Sequence, residues 1–184
     1  MRQSLRLHPD SQGSAVTGIE VEVVCPRADS LILSYTVIGK ISEVRMATGV
    51  RSARSDELWR HTCFEAFVRA SSEAGYYEFN FAPSTQWAAY QFTGYRSGMR
   101  VAAEISAPLI EVRSSPDCYV LQASLELERL LSLPRKALWD LGLSALIEDK
   151  NGHKSYWALA HPPGKPDFHH ADCFAYKFSP VVQP

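Results

Sequence analysis

Apolar and polar residues alternate with period two along most of this chain, the pattern of half-buried β-strands. Residues 18–24 place Ile19, Val21 and Val23 on one face and Glu20 and Glu22 on the other. Residues 30–39 repeat the pattern with Leu31, Leu33, Tyr35 and Val37. In 62–69, Phe64, Ala66 and Val68 oppose Cys63, Glu65 and Phe67; in 76–81, Tyr77, Phe79 and Phe81 oppose Tyr76, Glu78 and Asn80. Further strand signals lie at 86–92, 109–112, 118–127, 141–148, 156–160 and 174–178. Ser71–Gly75 reads as one hairpin turn, and the Asn-Gly pair of Asp149–Lys150–Asn151–Gly152 as another.

One segment departs from this period. In 126–139, Leu127, Leu130 and Leu131 recur at helical spacing before Pro134 interrupts, which predicts a short helical connection. Many short strands divided by Gly, Pro, Ser and Asp turns predict an all-β antiparallel β-sandwich, jelly-roll or immunoglobulin-like. The 184 residues are enough for one domain spanning the chain, with 1–15 as a flexible or edge-strand N-terminus.

Composition removes several function classes. The net charge is −1 without a long run of one sign, so no cationic footprint for nucleic acid is present. No apolar run approaches the roughly 20 residues that span a bilayer, and no polybasic patch suggests a membrane surface. The polar start MRQSLRLHPDSQGSA has no secretory apolar stretch, so a cytoplasmic protein is expected. The four cysteines are widely spaced, with no CxxC pair, and read as free thiols behaving as small apolar residues. GxSxG, Walker and GxGxxG motifs are absent.

The chemistry-bearing stretch is 56–98. It concentrates Trp59, Tyr76, Tyr77, Trp87, Tyr90 and Tyr95 among Arg60, Glu65, Glu78, Asn80 and Arg96. Flat aromatic faces cover the C–H face of a sugar ring, while carboxylates, amides and guanidinium groups bind its hydroxyls. Centring the 62–69/76–81 hairpin on residues 71–72 puts Glu65 directly opposite Glu78. Such a pair repels unless a cation, an Arg or a hydroxyl-rich ligand intervenes. Cross-strand pairing with Arg on a solvated face is the plain structural alternative. Two carboxyls flanking a glycosidic bond would also serve a glycoside-acting enzyme.

A second group lies in 155–174, where Trp157, His161, Asp167, His169, His170 and Asp172 share a Pro-rich loop. Long ordered loops of this kind commonly carry function. The histidine spacing fits neither an HxxxH helix nor a Cys knuckle, so His161, His169 and His170 are each better read as structural or hydrogen-bonding residues than as metal ligands.

Three segments, LWRHTCFEAFV, YYEFNFAPSTQWAAYQFTGYRSGM and KSYWALAHPPGKPDFHHADCF, together resemble the DOMON-like proteins related to family-9 carbohydrate-binding modules. The resemblance covers about 56–174. It implies a β-sandwich with jelly-roll-like topology and a ligand pocket at one edge or on one concave face. It also implies a tryptophan clamp on a sugar, for which Trp87 and Trp157 are available. A haem-binding relative would use an axial Met and His, with Met46 or Met99 as the methionine.

The sequence therefore predicts non-catalytic binding of a small carbohydrate or related polyol. The expected ligand-binding residues are Trp59, Arg60, Glu65, Glu78, Asn80, Trp87, Tyr95, Arg96, Trp157, His161 and His170, with no cofactor, no nucleic acid and no membrane partner. The alternatives are a haem- or metal-binding domain and a glycoside-acting enzyme using Glu65 and Glu78.

Overall fold

The computed structural model describes residues 2–12, 15–27, 29–47, 49, 51–130, 132–134 and 136–180. Among these residues twelve strands run in chain order: β1 (Arg2–Leu7), β2 (Val16–Val24), β3 (Ser30–Gly39), β4 (Cys63–Ala70), β5 (Tyr76–Phe81), β6 (Trp87–Phe92), β7 (Arg100–Val101), β8 (Leu109–Ser114), β9 (Cys118–Glu126), β10 (Trp139–Glu148), β11 (Lys154–Ala158) and β12 (Tyr176–Phe178). Helix is limited, among the described residues, to three 3-10 turns at Ile41–Glu43, Leu58–Arg60 and Ala171–Cys173.

The strands pair antiparallel in the order β7-β6-β5-β4-β10-β11-β1-β2-β3-β9-β8, with β12 added on β10. The ladder folds over at β1. Arg2–Leu5 pair with β2, whereas Arg6 and Leu7 pair with β11. The result is the all-β sandwich that the period-two pattern predicts. The N-terminus differs from its reading as flexible or edge-forming, because β1 is an interior strand joining the two sheets. It escapes a hydrophobic scan because Leu5 is its one buried residue.

The core lies between the sheets. Ile19, Val21, Leu31, Leu33, Tyr35 and Leu121 from one sheet meet Phe64, Phe79, Phe81, Leu141 and Ala145 from the other, all essentially inaccessible. Burying each large apolar side chain contributes about 1.5–3 kcal/mol. Tyr35 adds a polar tie across this core, its hydroxyl donating to the Glu65 carbonyl at 2.7 Å. That contact fixes the backbone of β4 where the candidate carboxyl projects to the opposite face.

Both predicted hairpins form. The Asp149–Gly152 turn joins β10 and β11, Gly152 donating to the Asp149 carbonyl from a φ of 85° that favours glycine. Ser71–Gly75 connects β4 and β5, but the turn closes from Glu73 to Ala70. The connection 127–138 carries single-turn bonds, Leu130 to Leu127, Leu133 to Leu130 and Ala137 to Pro134, rather than a continuous helix. Leu131 and Arg135 within it lie outside the described residues. All four cysteines are free; Cys63 and Cys173 are buried, Cys25 and Cys118 half-buried.

Candidate functional site

Strands β4, β5 and β10 are buried on both faces, although only one face of each meets the sandwich core. The other face is roofed by three segments: the Leu58–Arg60 turn, the 93–99 loop and the long 159–175 loop. Phe67, Tyr76, Tyr90, Phe92, Phe168 and Phe174 form a second apolar cluster beneath this roof. Gly142 permits the close approach, since a Cβ there would come within 3.2 Å of the Cys173 carbonyl and 3.3 Å of Phe67 Cβ.

Asp167 holds the roof together. Its carboxylate accepts from Tyr95 Oη at 2.6 Å, Arg96 Nη2 at 2.7 Å and the His169 amide at 3.1 Å. Although burial alone would raise its pKa, these bonds hold Asp167 below the usual carboxylate range. The Cys173 thiol lies 3.2 Å from the carbonyls of both Ala160 and Asp167, tying the ends of the long loop.

Between roof and sheet lies a cavity of about 520 Å³. Glu65 and Glu78 stand on its floor, and Arg96 and His169 face it from the roof. Trp59, Phe92, Tyr156 and Phe168 supply aromatic wall, and Arg60, Met99, Leu146, Lys154 and Pro166 complete it. Trp59 is 36% exposed and packs edge-on against Tyr90, whose hydroxyl donates to Asp56 at 2.7 Å. An aromatic platform is thus anchored at the opening.

The two carboxyls are not directly opposite. Glu65 faces Asn80, and Glu78 faces Phe67. A two-residue slip keeps both on the cavity face, because side chains alternate with period two. Asn80 Nδ2 donates to Glu78 Oε1 at 2.7 Å, and Glu78 Oε2 is 3.8 Å from His169 Nε2. His169 Nδ1 is paired with Tyr76 Oη at 2.7 Å, and that oxygen also accepts from the Arg96 amide at 3.2 Å.

Burial raises both acids. Glu65 lies well above the usual carboxylate range, pushed by burial and then by Glu78, with Arg96 and the nearby Ser144 hydroxyl pulling back. The Ser144 oxygen is nevertheless without a partner in hydrogen-bond geometry. Glu78 is pushed up to about 7 by burial, against the opposing Asn80 bond and Arg96 charge. Burial, with Arg96, lowers His169 to about 4, so its ring is neutral near pH 7.

Of the residues expected from sequence, Trp59, Arg60, Glu65, Glu78 and Arg96 converge on the cavity. Asn80 stands behind it, fully buried and bonded to Glu78. Tyr95 is exposed and acts through Asp167, while His170 lies beside Tyr95 and caps the Ala171–Cys173 turn. His161 is elsewhere: Nε2 is 2.8 Å from the Arg6 carbonyl, and the ring packs edge-on against His8.

The expected tryptophan clamp does not form. Trp87 pairs with Phe81 and Trp157 with Ala145, both core-facing partners, so both indoles point between the sheets and are 5% exposed. Arg54 covers the Trp87 ring at 4.1 Å, and the Trp157 indole donates to Ser155 at 3.0 Å. Among the described residues no group of three or more His, Cys, Asp and Glu is placed to hold a metal. Of the methionines weighed for haem, Met46 packs against the core and Met99 lines the cavity.

Sequence reasoning missed Tyr156, Phe168, His169 and Lys154 as cavity residues. Tyr156 and Lys154 had a signal, since alternation on β11 puts them opposite core-facing Trp157 and on the same face as Leu146. His169 stood in the loop group singled out from sequence, but which of its histidines enters the cavity depends on how the long loop crosses the sheet, and Phe168 had no signal for the same reason.

No protein-family model matches the chain, and no curated protein matches it. Solved structures share its fold. A Bacteroides uniformis protein to which carbohydrate binding has been ascribed superposes with a TM-score of 0.62 at 14% identity, covering 94% of this chain and 83% of the other. A family-9 carbohydrate-binding module of Caldicellulosiruptor kristjanssonii, solved with cellotriose, gives 0.52 at 9% identity over 87% and 74%. The glucose complex of a family-9 module from the same organism gives 0.51 at 10% identity over 87% and 75%. The chain has the β-sandwich fold of these proteins.

Proposed function

We propose that this protein binds a small carbohydrate, without catalysis, in the cavity on the outer face of the β4–β5–β10–β11 sheet. The observation that carries the reading is the convergence of Trp59, Tyr156 and Phe168 with Glu65, Glu78 and Arg96 in one space of about 520 Å³. A volume in the 300–1,000 Å³ range of ordinary ligand sites suits one or two sugar rings. Trp59 offers an indole for the apolar face of a ring, and the acids and Arg96 supply acceptors and donors for its hydroxyls.

The shared fold with modules solved bound to cellotriose and glucose supports this reading, as does the DOMON-like resemblance. The stacking role passes from Trp87 and Trp157, which are core residues, to Trp59 and Tyr156. Tryptophan-fluorescence titration with a panel of mono- and oligosaccharides tests the proposal. Saturable quenching at millimolar or lower concentration, lost in Trp59→Ala, is expected. No response to any member of the panel contradicts it.

A further inference from the structure

Cavity charge is unevenly neutralised. Arg96, the roof's guanidinium, is paired with Asp167 at 2.7 Å. Arg60 is paired with Glu57 at 2.6 Å. His169, beside Glu78, is neutral. Lys154 lines the wall, but among the described residues it makes no ion pair with either floor carboxyl. Glu65 is 4% exposed, faces the cavity, and its carboxyl makes no hydrogen bond or ion pair in good geometry among the described residues. Glu78 has the Asn80 amide and no cation in contact.

Burial and mutual repulsion hold protons on two carboxyls this deep, and a cation placed between their oxygens in the cavity would let them ionise. A sugar hydroxyl brings no charge to offset the cost of ionising either acid. An ammonium group brings three donors and one positive charge. The surrounding wall suits the same group, since Trp59, Phe92, Tyr156 and Phe168 present aromatic surface to a cation.

We propose that the ligand is an amino sugar, whose protonated amine sits between the Glu65 and Glu78 carboxyls while its ring lies against the aromatic wall. This rests on the carbohydrate reading and sharpens it from a hydroxylated ring to a cationic one. Arg96 keeps to the roof through Asp167 and meets ring hydroxyls.

The test is calorimetric titration of the full chain with glucosamine, glucose and N-acetylglucosamine, which differ only in the group at one carbon. Glucosamine is expected to bind at least about tenfold more tightly than either neutral sugar, as a charge-assisted bond exceeds a neutral one by roughly that factor. The glucosamine-to-glucose ratio is expected to shrink in Glu65→Gln and in Glu78→Gln. Equal affinity for the three, or N-acetylglucosamine binding as well as glucosamine, overturns the amine assignment and leaves the carbohydrate reading standing. Absence of binding by any sugar, charged or neutral, overturns both. The wild-type comparison decides the matter even if a variant fails to fold.

Discussion

Glu65 and Glu78 project from the same face of adjacent strands, two positions out of direct opposition, with Asn80 beside one and Phe67 beside the other. This offset leaves their charges close enough to couple while giving Glu78 a private amide donor that Glu65 lacks. The pair therefore sets both the chemistry of the cavity and its pH response.

The folded pKa of Glu78, about 7, lies above its ordinary 4.5. Between those values the folded chain holds more protons than the unfolded one, so stability falls as pH rises through this window. His169 acts with the opposite sign. Its pKa drops from 6.5 to about 4, so its contribution is lost as pH falls across that range. Glu78→Gln removes the first effect and, with it, the part of the upward push on Glu65 that Glu78 supplies. Its stability relative to wild type should rise from pH 4.5 to 7, by on the order of a few kcal/mol, and be near zero below. Chemical denaturation across pH measures the difference; a flat difference would place Glu78 in a solvated environment.

Trp59 and Trp87 separate binding from folding. Trp59→Ala should leave stability nearly intact and weaken a bound sugar by about 2 kcal/mol, roughly thirtyfold. Trp87→Ala should cost about 3–5 kcal/mol of stability by opening a core cavity. Denaturation midpoints paired with sugar titrations distinguish the two, and interchanged phenotypes would contradict the assignment of faces.

Much of this was legible because strand parity is robust. Phe64, Ala66, Val68, Tyr77, Phe79 and Phe81 face the core as their alternation predicts, which sends Glu65 and Glu78 to the other side. Register was less legible. The ladder pairs Phe64 with Phe81 and Glu65 with Asn80, so its centre lies at 72–73, one residue later than 71–72, and that shift moves each partner by two. Trp87 and Trp157 misled because polar neighbours in sequence do not share their face; their core partners Phe81 and Ala145 do. The roof was invisible, since the Asp167 bonds to Tyr95 and Arg96 join segments more than seventy residues apart.

Those bonds yield another prediction. Asp167→Ala removes the acceptor for Tyr95, Arg96 and the His169 amide together. The global cost should be modest, about 1–2 kcal/mol, because the Arg96 side chain is 52% exposed and its ion pair is screened. Locally the roof should loosen. Hydrogen exchange at the His169 amide should speed up, and sugar affinity should fall with it. Unchanged protection at His169 would remove Asp167 from its role as the tie.

A crystal of the protein soaked with its best-binding sugar decides where the ligand sits. A sugar ring is expected against Trp59 in the cavity beneath the 159–175 loop, with polar groups of the sugar within hydrogen-bond distance of the Glu65 and Glu78 carboxyls. A ring seated elsewhere on the sandwich, or an empty cavity at saturating sugar, would contradict that placement.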